Sequence, residues 1–149
     1  MGENVLAVSV FFNLGNFYTK ANNFSKSVEN YTKAIELSPQ FVSAYQNRGT
    51  VFLALNQPEQ ALMDFSQAIE LNPNIPDLYY NRGTVLGQLN KLDSALNDLN
   101  KAIQLDPSNT NYYANRAVVY SLFNRLDLAQ RDLSASKSLQ RLKDSHSLP

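Results

Sequence analysis

Two consecutive stretches of the chain follow one pattern. Residues 42–75 read VSAYQNRGTVFLALNQPEQALMDFSQAIELNPNI, and residues 76–109 read PDLYYNRGTVLGQLNKLDSALNDLNKAIQLDPSN. The phrase Ala-Ile-Glu-Leu at 68–71 returns as Ala-Ile-Gln-Leu at 102–105, and Pro73 returns as Pro107. A period of 34 residues indicates repeated structural units, each of which must stack on a neighbour to bury its apolar face.

The same period covers most of the chain. Glycines recur at Gly15, Gly49 and Gly83, and Ala117 takes the fourth place. Four repeats fit, at residues 8–41, 42–75, 76–109 and 110–143. They leave a lead segment at 1–7 and a tail at 144–149, and we expect the tail to be flexible.

Each repeat is predicted to contain two helices. In repeat two, Tyr45 and Phe52 recur at helical spacing in the first half, as do Leu62 and Phe65 in the second. Asparagine tolerates the left-handed conformation that ends a helix, so we expect four C-caps, at Asn22, Asn56, Asn90 and Asn124. The candidate N-caps stand three residues later, at Ser25, Glu59, Asp93 and Asp127.

Small residues at fixed positions have a packing reason. Gly or Ala on the first helix faces Ala or Ser on the second, as Gly49 and Ala61 do in repeat two. A larger side chain at either place would overpack the contact. We therefore expect the two helices of each repeat to approach closely.

These residues resemble the tetratricopeptide repeat family over residues 8–143. The family pattern asks for an aromatic residue, Leu-Gly, Tyr, Ala, an aromatic residue, Ala and Pro at fixed offsets. Repeat one supplies Phe11, Leu14-Gly15, Tyr18, Ser27, Tyr31, Ala34 and Pro39. The resemblance implies an all-α fold, an α-solenoid in which four antiparallel helix pairs form a right-handed superhelix. It also implies that the first helices line a concave groove.

A charged pair departs from the family pattern. In repeats two to four, Arg replaces the Leu before the glycine position, and Asp stands 16 residues later, giving Arg48–Asp64, Arg82–Asp98 and Arg116–Asp132. Repeat one has Leu14 and Asn30, so it lacks both charges together. A partly buried Arg needs a carboxylate partner, so we favour a salt bridge inside each of three repeats. A charged ligand site is the alternative.

The two ends of the array differ. Repeat four carries polar Gln130 and Lys137 where the earlier repeats have apolar residues that meet the next repeat. Polar residues on a terminal face are what a solenoid cap requires. The start is apolar instead, and it is predicted to leave an exposed patch that could serve as a contact site, comprising Val5, Leu6, Val8 and Phe12.

Asparagine occupies the sixth position of every repeat, which the resemblance places in the groove, at Asn13, Asn47, Asn81 and Asn115. A primary amide can donate to a peptide C=O and accept from a peptide N–H. We therefore predict an asparagine ladder that binds an extended peptide. The alternative is that these residues only solvate an exposed helical face. The predicted peptide-binding residues are Asn13, Asn16, Lys20, Asn47, Thr50, Asp77, Tyr80, Asn81, Thr84, Gln88 and Asn115.

The carboxylate clamp of chaperone-binding members is largely absent. That clamp needs Lys at the fifth position of one repeat, and Lys and Arg at the second and sixth positions of a later one. Phe12, Asp77 and Asn81 stand there instead. Tails that end in acidic residues are therefore not the expected ligand. Phe12 and Tyr80 could anchor an apolar ligand side chain or could pack in the core.

Composition argues against catalysis and cofactors. The chain has no cysteine, and its one histidine, His146, lies near the end, so thiol and histidine chemistry lack their residues. No glycine-rich phosphate loop is present. We predict no enzymatic activity, no cofactor and no metal site.

Charge and hydropathy argue against nucleic acid and membrane partners. Thirteen basic residues balance thirteen acidic ones, which gives no general attraction to nucleic acid or anionic lipid. The apolar start has no preceding Lys or Arg and is too short to span a bilayer. A cytoplasmic location is the expectation.

The function predicted from the sequence is a non-catalytic adaptor that binds an extended peptide segment of a partner protein in the groove. The alternative is a self-associating scaffold, a homo-oligomer joined through the apolar start, or an accessory subunit of a larger complex. Replacing Asn47 and Asn81 by Ala is expected to weaken peptide binding by about 1–3 kcal/mol per amide and to leave stability nearly unchanged.

Overall fold

The computed structural model describes the backbone of residues 2–146 and the side chains of residues 5–145. Over this range the fold is all-α, which confirms the predicted class. The helices are α1 (Gly2–Lys20), α2 (Phe24–Leu37), α3 (Val42–Ala54), α4 (Pro58–Leu71), α5 (Pro76–Gln88), α6 (Leu92–Leu105), α7 (Thr110–Leu122) and α8 (Leu126–His146). They form four helical hairpins in two compact halves, an N-terminal half (Met1–Pro73) and a C-terminal half (Asn74–Pro149).

Each hairpin turns at an asparagine. Asn22, Asn56, Asn90 and Asn124 all have φ between 56° and 58°, which confirms the four C-caps. After α1, the N–H of Asn23 donates to the Tyr18 carbonyl (2.9 Å) and that of Asn22 to the Thr19 carbonyl (3.0 Å). This pair of bonds is the Schellman motif, which satisfies the last carbonyls of the helix. The three later hairpins repeat it.

The N-cap prediction is wrong by two residues. The second helices begin sooner than expected, and the residue before each of α2, α4 and α6 is Asn23, Gln57 and Lys91. The tight turn at the asparagine leaves no room for a longer connection, so the predicted caps lie inside the first turn. There Glu59 and Asp93 place negative charge near the helix N-terminus, where the helix dipole favours it.

A cluster of buried residues in each half lies between a second helix and the first helix that follows it. In the N-terminal half, α2 packs on α3, and Ala34 and Ile35 meet Ala44. In the C-terminal half, α6 packs on α7, and Ala95, Leu96 and Leu99 meet Val119. Aromatic residues surround both clusters, including Phe11, Phe12, Phe41 and Tyr45 in the first.

The glycines mark close contacts inside the hairpins. A Cβ on Gly15 would lie 2.5 Å from two ring carbons of Tyr31, and a Cβ on Gly49 would lie 2.9 Å from Cε1 of Phe65. Gly83 faces Leu99 and would be less crowded, with its nearest atoms at 3.1–3.2 Å. The close approach predicted from the small residues is therefore present where an aromatic ring faces the glycine.

The predicted Arg–Asp salt bridges are confirmed in all three repeats. Each pair is bidentate: Arg48 Nε and Nη2 donate to the Asp64 carboxylate at 2.8 and 2.7 Å. The equivalent bonds of Arg82 and Arg116 to Asp98 and Asp132 are 2.7–2.8 Å long. The three carboxylates are buried. Hydrogen bonding to these carboxylates raises the pKa of Arg82 and of Arg116.

Both ends of the chain are more helical than expected. Helix α1 begins at Gly2, so residues 2–7 continue the first helix of repeat one. Helix α8 runs to His146 because Arg141 replaces the proline that follows the earlier second helices. Residues 144–146 of the predicted flexible tail are therefore helical, and the rest of that tail lies outside the described residues. Gln130 and Lys137 are exposed, as the cap prediction requires.

No helix within residues 2–146 is long and apolar enough to cross a membrane. In the described part of the chain, Asp and Glu side chains form no cluster of three or more that could hold a metal ion.

Candidate functional site

A polar pocket of about 320 Å³ lies in the N-terminal half. Helices α1 and α3 contribute most of its walls, and α2 contributes one residue. It is lined by Asn16, Thr19, Lys20, Tyr31, Asn47 and Thr50. Four of the predicted site residues therefore lie together: Asn16, Lys20, Asn47 and Thr50.

Asn16 is at the centre of a hydrogen-bond network in this pocket. Its Oδ1 accepts from the Tyr31 hydroxyl (2.6 Å) and from Asn47 Nδ2 (2.9 Å). Thr19 Oγ1 lies 3.3 Å from the same hydroxyl and 2.6 Å from Ser27 Oγ. Because an amide oxygen has two lone pairs, Asn16 can offer a ligand only its two N–H donors.

A second pocket, of about 250 Å³, lies at the same repeat positions in the C-terminal half. Thr84, Gly87, Gln88, Leu99, Asn115 and Val118 stand two repeats after the six residues of the polar pocket, and Val119 and Leu122 complete the lining. Leu99 replaces Tyr31, Gly87 replaces Thr19, and Val118 replaces Thr50. The same repeat positions thus line a pocket in each half. Polar residues alone line the first pocket, whereas the second also has the apolar residues Leu99, Val118, Val119 and Leu122.

Two of the four asparagines at the sixth repeat position, Asn47 and Asn115, make a hydrogen bond that the sequence did not indicate. Asn115 Nδ2 donates to Thr84 Oγ1 (2.8 Å), just as Asn47 Nδ2 donates to Asn16 Oδ1. In both halves the sixth residue of one repeat therefore donates to the ninth residue of the repeat before it. Because a half-buried hydrogen bond contributes about 1 kcal/mol, we now expect Asn47→Ala to lower the free energy of unfolding by about that amount rather than to leave it nearly unchanged.

Asp77 and Tyr80 are occupied by packing and hydrogen bonding within the C-terminal half. The Tyr112 hydroxyl donates to the Asp77 carboxylate. Burial, followed by this bond, raises the pKa of Tyr112. The ring of Tyr80 lies 5.2 Å from that of Tyr112, centroid to centroid, and packs against the α6–α7 core. The two residues support α7. Asp77 is nevertheless exposed and Tyr80 is half-buried, so their part in peptide binding stays a prediction.

The remaining predicted residues divide between the pockets and the surface. Thr84, Gln88 and Asn115 line the apolar pocket. Asn13 is exposed and Asn81 is half-buried, and neither lines a described pocket. Phe12 packs against Tyr31 and Phe41, at centroid distances of 5.7 and 4.7 Å, so it belongs to the core.

Several lining residues were not predicted. Thr19 and Gly87 occupy the twelfth repeat position and Leu122 the thirteenth, both of which the family resemblance places in the groove. That signal was available from the sequence. Tyr31 and Leu99 were interpreted only as packing residues, and no sequence feature shows that the Tyr31 hydroxyl reaches Asn16.

Solved structures share this fold. A MamA structure superposes with a TM-score of 0.88 at 22% identity, covering 93% of this chain and 81% of that one. A structure of MamA residues 41 to the end, from Desulfovibrio magneticus RS-1, superposes with a TM-score of 0.86 at 20% identity, covering 92% of this chain and 77% of that one. The Arabidopsis OM64 TPR domain gives 0.76 at 29% identity, covering 79% of this chain and 98% of that one. The first TPR of Spaghetti (RPAP3), bound to the HSP90 peptide SRMEEVD, superposes with a TM-score of 0.77 at 24% identity. The match covers 80% of this chain and 94% of that one.

Sequence models of one family match the same region. No curated protein matches the chain significantly in sequence. The tetratricopeptide repeat model matches residues 42–75 and 76–109, which are the second and third repeats. A TPR repeat model matches residues 15–56, so the matches together run from residue 15 to residue 109. On this evidence and on the helical hairpins, the chain belongs to the tetratricopeptide repeat family.

Proposed function

We propose that the chain is a non-catalytic adaptor whose pockets bind an extended peptide segment of a partner protein through side-chain amides. Tetratricopeptide repeats are protein-interaction modules and are generally non-catalytic, which supports the adaptor role. The observation that carries the proposal is the arrangement at Asn16 and Asn47. One amide offers only N–H donors, while the other keeps its oxygen and one N–H group. A peptide group presents the complementary C=O and N–H.

The two pockets are proposed to differ in the side chain they accept. The apolar pocket is lined by Leu99, Val118, Val119 and Leu122, and its volume of about 250 Å³ exceeds the ~150 Å³ that holds benzene in an engineered apolar cavity. A leucine or phenylalanine side chain fits that space. The polar pocket carries the Lys20 ammonium and suits a polar or acidic side chain.

A peptide ending in a run of acidic residues is not the proposed ligand. The similar Spaghetti structure holds the HSP90 peptide SRMEEVD. In this chain Phe12 is packed among aromatic rings, and Asp77 would repel a carboxylate. Because Lys20 is the only charged side chain lining either pocket, peptide binding is expected to depend weakly on salt.

The amide contribution is tested by Asn115→Ala. A tight-binding peptide is first selected from a displayed random library and synthesised. Asn115→Ala is expected to weaken its binding by about 1–3 kcal/mol, measured by isothermal titration calorimetry, because a bound peptide group loses its partner. The variant also loses the internal bond to Thr84, so it should unfold about 1 kcal/mol more easily.

Thr84→Val is the matched control for this experiment. It removes the same internal bond but keeps the Asn115 amide in the pocket. Although Thr84 also lines the pocket, Thr84→Val should therefore weaken binding clearly less than Asn115→Ala does. If Thr84→Val weakens binding as much as Asn115→Ala does, the amide acts only inside the protein and the proposed contact is refuted.

The apolar pocket is tested by Leu122→Gln, which copies Gln88 from the preceding repeat. The side chain is largely exposed, so folding should be unaffected. Binding of a peptide with a large apolar side chain should fall about tenfold, because roughly 50 Å² of apolar contact is lost. Fluorescence anisotropy with a leucine-containing and an alanine-containing peptide measures this, and an equal effect on both peptides would contradict the proposal.

Self-association is the second candidate, because Val5 and Leu6 are exposed on α1. Two of the four residues first assigned to that patch do not belong to it. Val8 is half-buried, and Phe12 lies in the core. An accessory role in a larger complex and a cytoplasmic location stay predictions.

A further inference from the structure

Helix α1 carries an apolar stripe on its outer face. Leu6, Val10, Leu14 and Phe17 are spaced by four, four and three residues, so they share one side of the helix. Leu6 is 67% exposed, Val10 47% and Phe17 62%. The described residues of this side between Leu6 and Phe17 carry no charge.

The same face is buried in later repeats of each half. Val10 corresponds to Ala44 on α3 and to Tyr112 on α7, and Phe17 corresponds to Val51 and Val119. All four of those later residues are at most 3% exposed. Helix α2 covers the face on α3, and α6 covers it on α7. The α1 stripe is therefore a stacking face that no described helix of its own half covers.

Charge decides between two ways in which a second copy could cover this stripe. In a head-to-tail contact, α8 of the second copy would take the place that α2 takes on α3. It would bring Gln130 and Lys137 against the stripe, and both are polar and exposed. Residues 5–20 of α1 contain no carboxylate to pair with Lys137, and burying an unpaired ammonium is costly. The stripe itself is uncharged, so a copy of the stripe is its best-matched partner.

We propose that two copies of this chain form a two-fold symmetric dimer in which their α1 stripes pack against each other antiparallel. A two-fold contact uses the same patch on both copies and closes after two subunits, so it does not propagate. Because the stripe has only four residues on each copy, we expect the contact to bury less than the ~1,200 Å² of a standard interface and to dissociate in the micromolar range. This proposal is independent of peptide binding, which uses the pockets.

Sedimentation velocity over the micromolar range tests the dimer. The wild type should shift from monomer to dimer as its concentration rises. Phe17→Lys places a charge in the stripe and should raise the dissociation constant at least tenfold. Met63→Lys is the matched control, because Met63 is 72% exposed on α4, outside the stripe, and this variant should dimerise like the wild type. Circular dichroism melts verify that both variants fold.

Cysteine cross-linking tests the geometry, since the chain contains no cysteine of its own. If the two-fold axis passes midway between residues 10 and 14, residue 10 of one copy faces residue 14 of the other. A mixture of Val10→Cys and Leu14→Cys proteins should form a disulfide-linked dimer under mild oxidation, and Met63→Cys should not. A wild type that stays monomeric overturns the proposal. The proposal is also overturned if the wild type grows into species larger than a dimer and Leu133→Lys on α8 abolishes this growth, because that result identifies head-to-tail stacking.

Discussion

Asp64→Ala is expected to lower the free energy of unfolding by about 3 kcal/mol. The substitution leaves the Arg48 guanidinium half-buried without its carboxylate, and breaking a buried ion pair from one side typically costs about 3–5 kcal/mol. We take the low end because Arg48 keeps some contact with water and a second bond, from Nη1 to Thr32 Oγ1 at 2.9 Å. Urea denaturation followed by circular dichroism measures the change.

The chain supplies the control for this prediction. Repeat one has Leu14 and Asn30 at the positions of Arg48 and Asp64, and Asn30 Nδ2 donates to the Lys26 carbonyl at 2.8 Å. The double substitution Arg48→Leu with Asp64→Asn copies that natural pair. The double variant should have a free energy of unfolding within about 1 kcal/mol of the wild type, because no charge is left unpaired. A double variant no more stable than Asp64→Ala would show that the loss has another origin.

Gly15→Ala is expected to lower the free energy of unfolding by about 2 kcal/mol. Alanine favours a helix by about 1 kcal/mol over glycine. That gain is outweighed because the new Cβ would lie 2.5 Å from two ring carbons of the buried Tyr31. Moving the ring costs about 1–3 kcal/mol in overpacking. It also strains the 2.6 Å bond from the hydroxyl to Asn16, and thermal denaturation measures the sum.

Two comparisons separate overpacking from a general effect of alanine. A Cβ on Gly87 would meet Val119 at 3.4 Å, an ordinary contact. Gly87→Ala should therefore stabilise the protein by about 0.5–1 kcal/mol. The double variant Gly15→Ala with Tyr31→Leu copies repeat four, which pairs Ala117 with Leu133. Its loss of unfolding free energy should be smaller than the sum of the losses in the two single variants. Strict additivity of the two substitutions would refute the steric account.

The features that follow from repeat position were predictable. Asparagine at the end of each first helix indicated the four left-handed caps, and the spacing of 16 residues indicated that Arg48 faces Asp64. Both depend on the geometry of a single hairpin, which is set by local helix periodicity and turn chemistry. Seven of the eleven predicted site residues line one of the two pockets, whereas Asn13, Asp77, Tyr80 and Asn81 do not. Peptide contact by any of the eleven stays a prediction.

The sequence by itself determined the helical hairpins, their asparagine C-caps, the small residues at the contacts between paired helices, and the pairing of the buried charges. These follow from residues in one hairpin, where helical spacing alone brings side chains together. Only the tertiary structure decided that Asn47 and Asn115 donate to the preceding repeat, that the same repeat positions line a pocket in each half, and that Val10 and Phe17 stay exposed while Ala44 and Val51 do not. Each of these depends on which helix packs across from which, and on distances of a few ångströms between side chains of different hairpins.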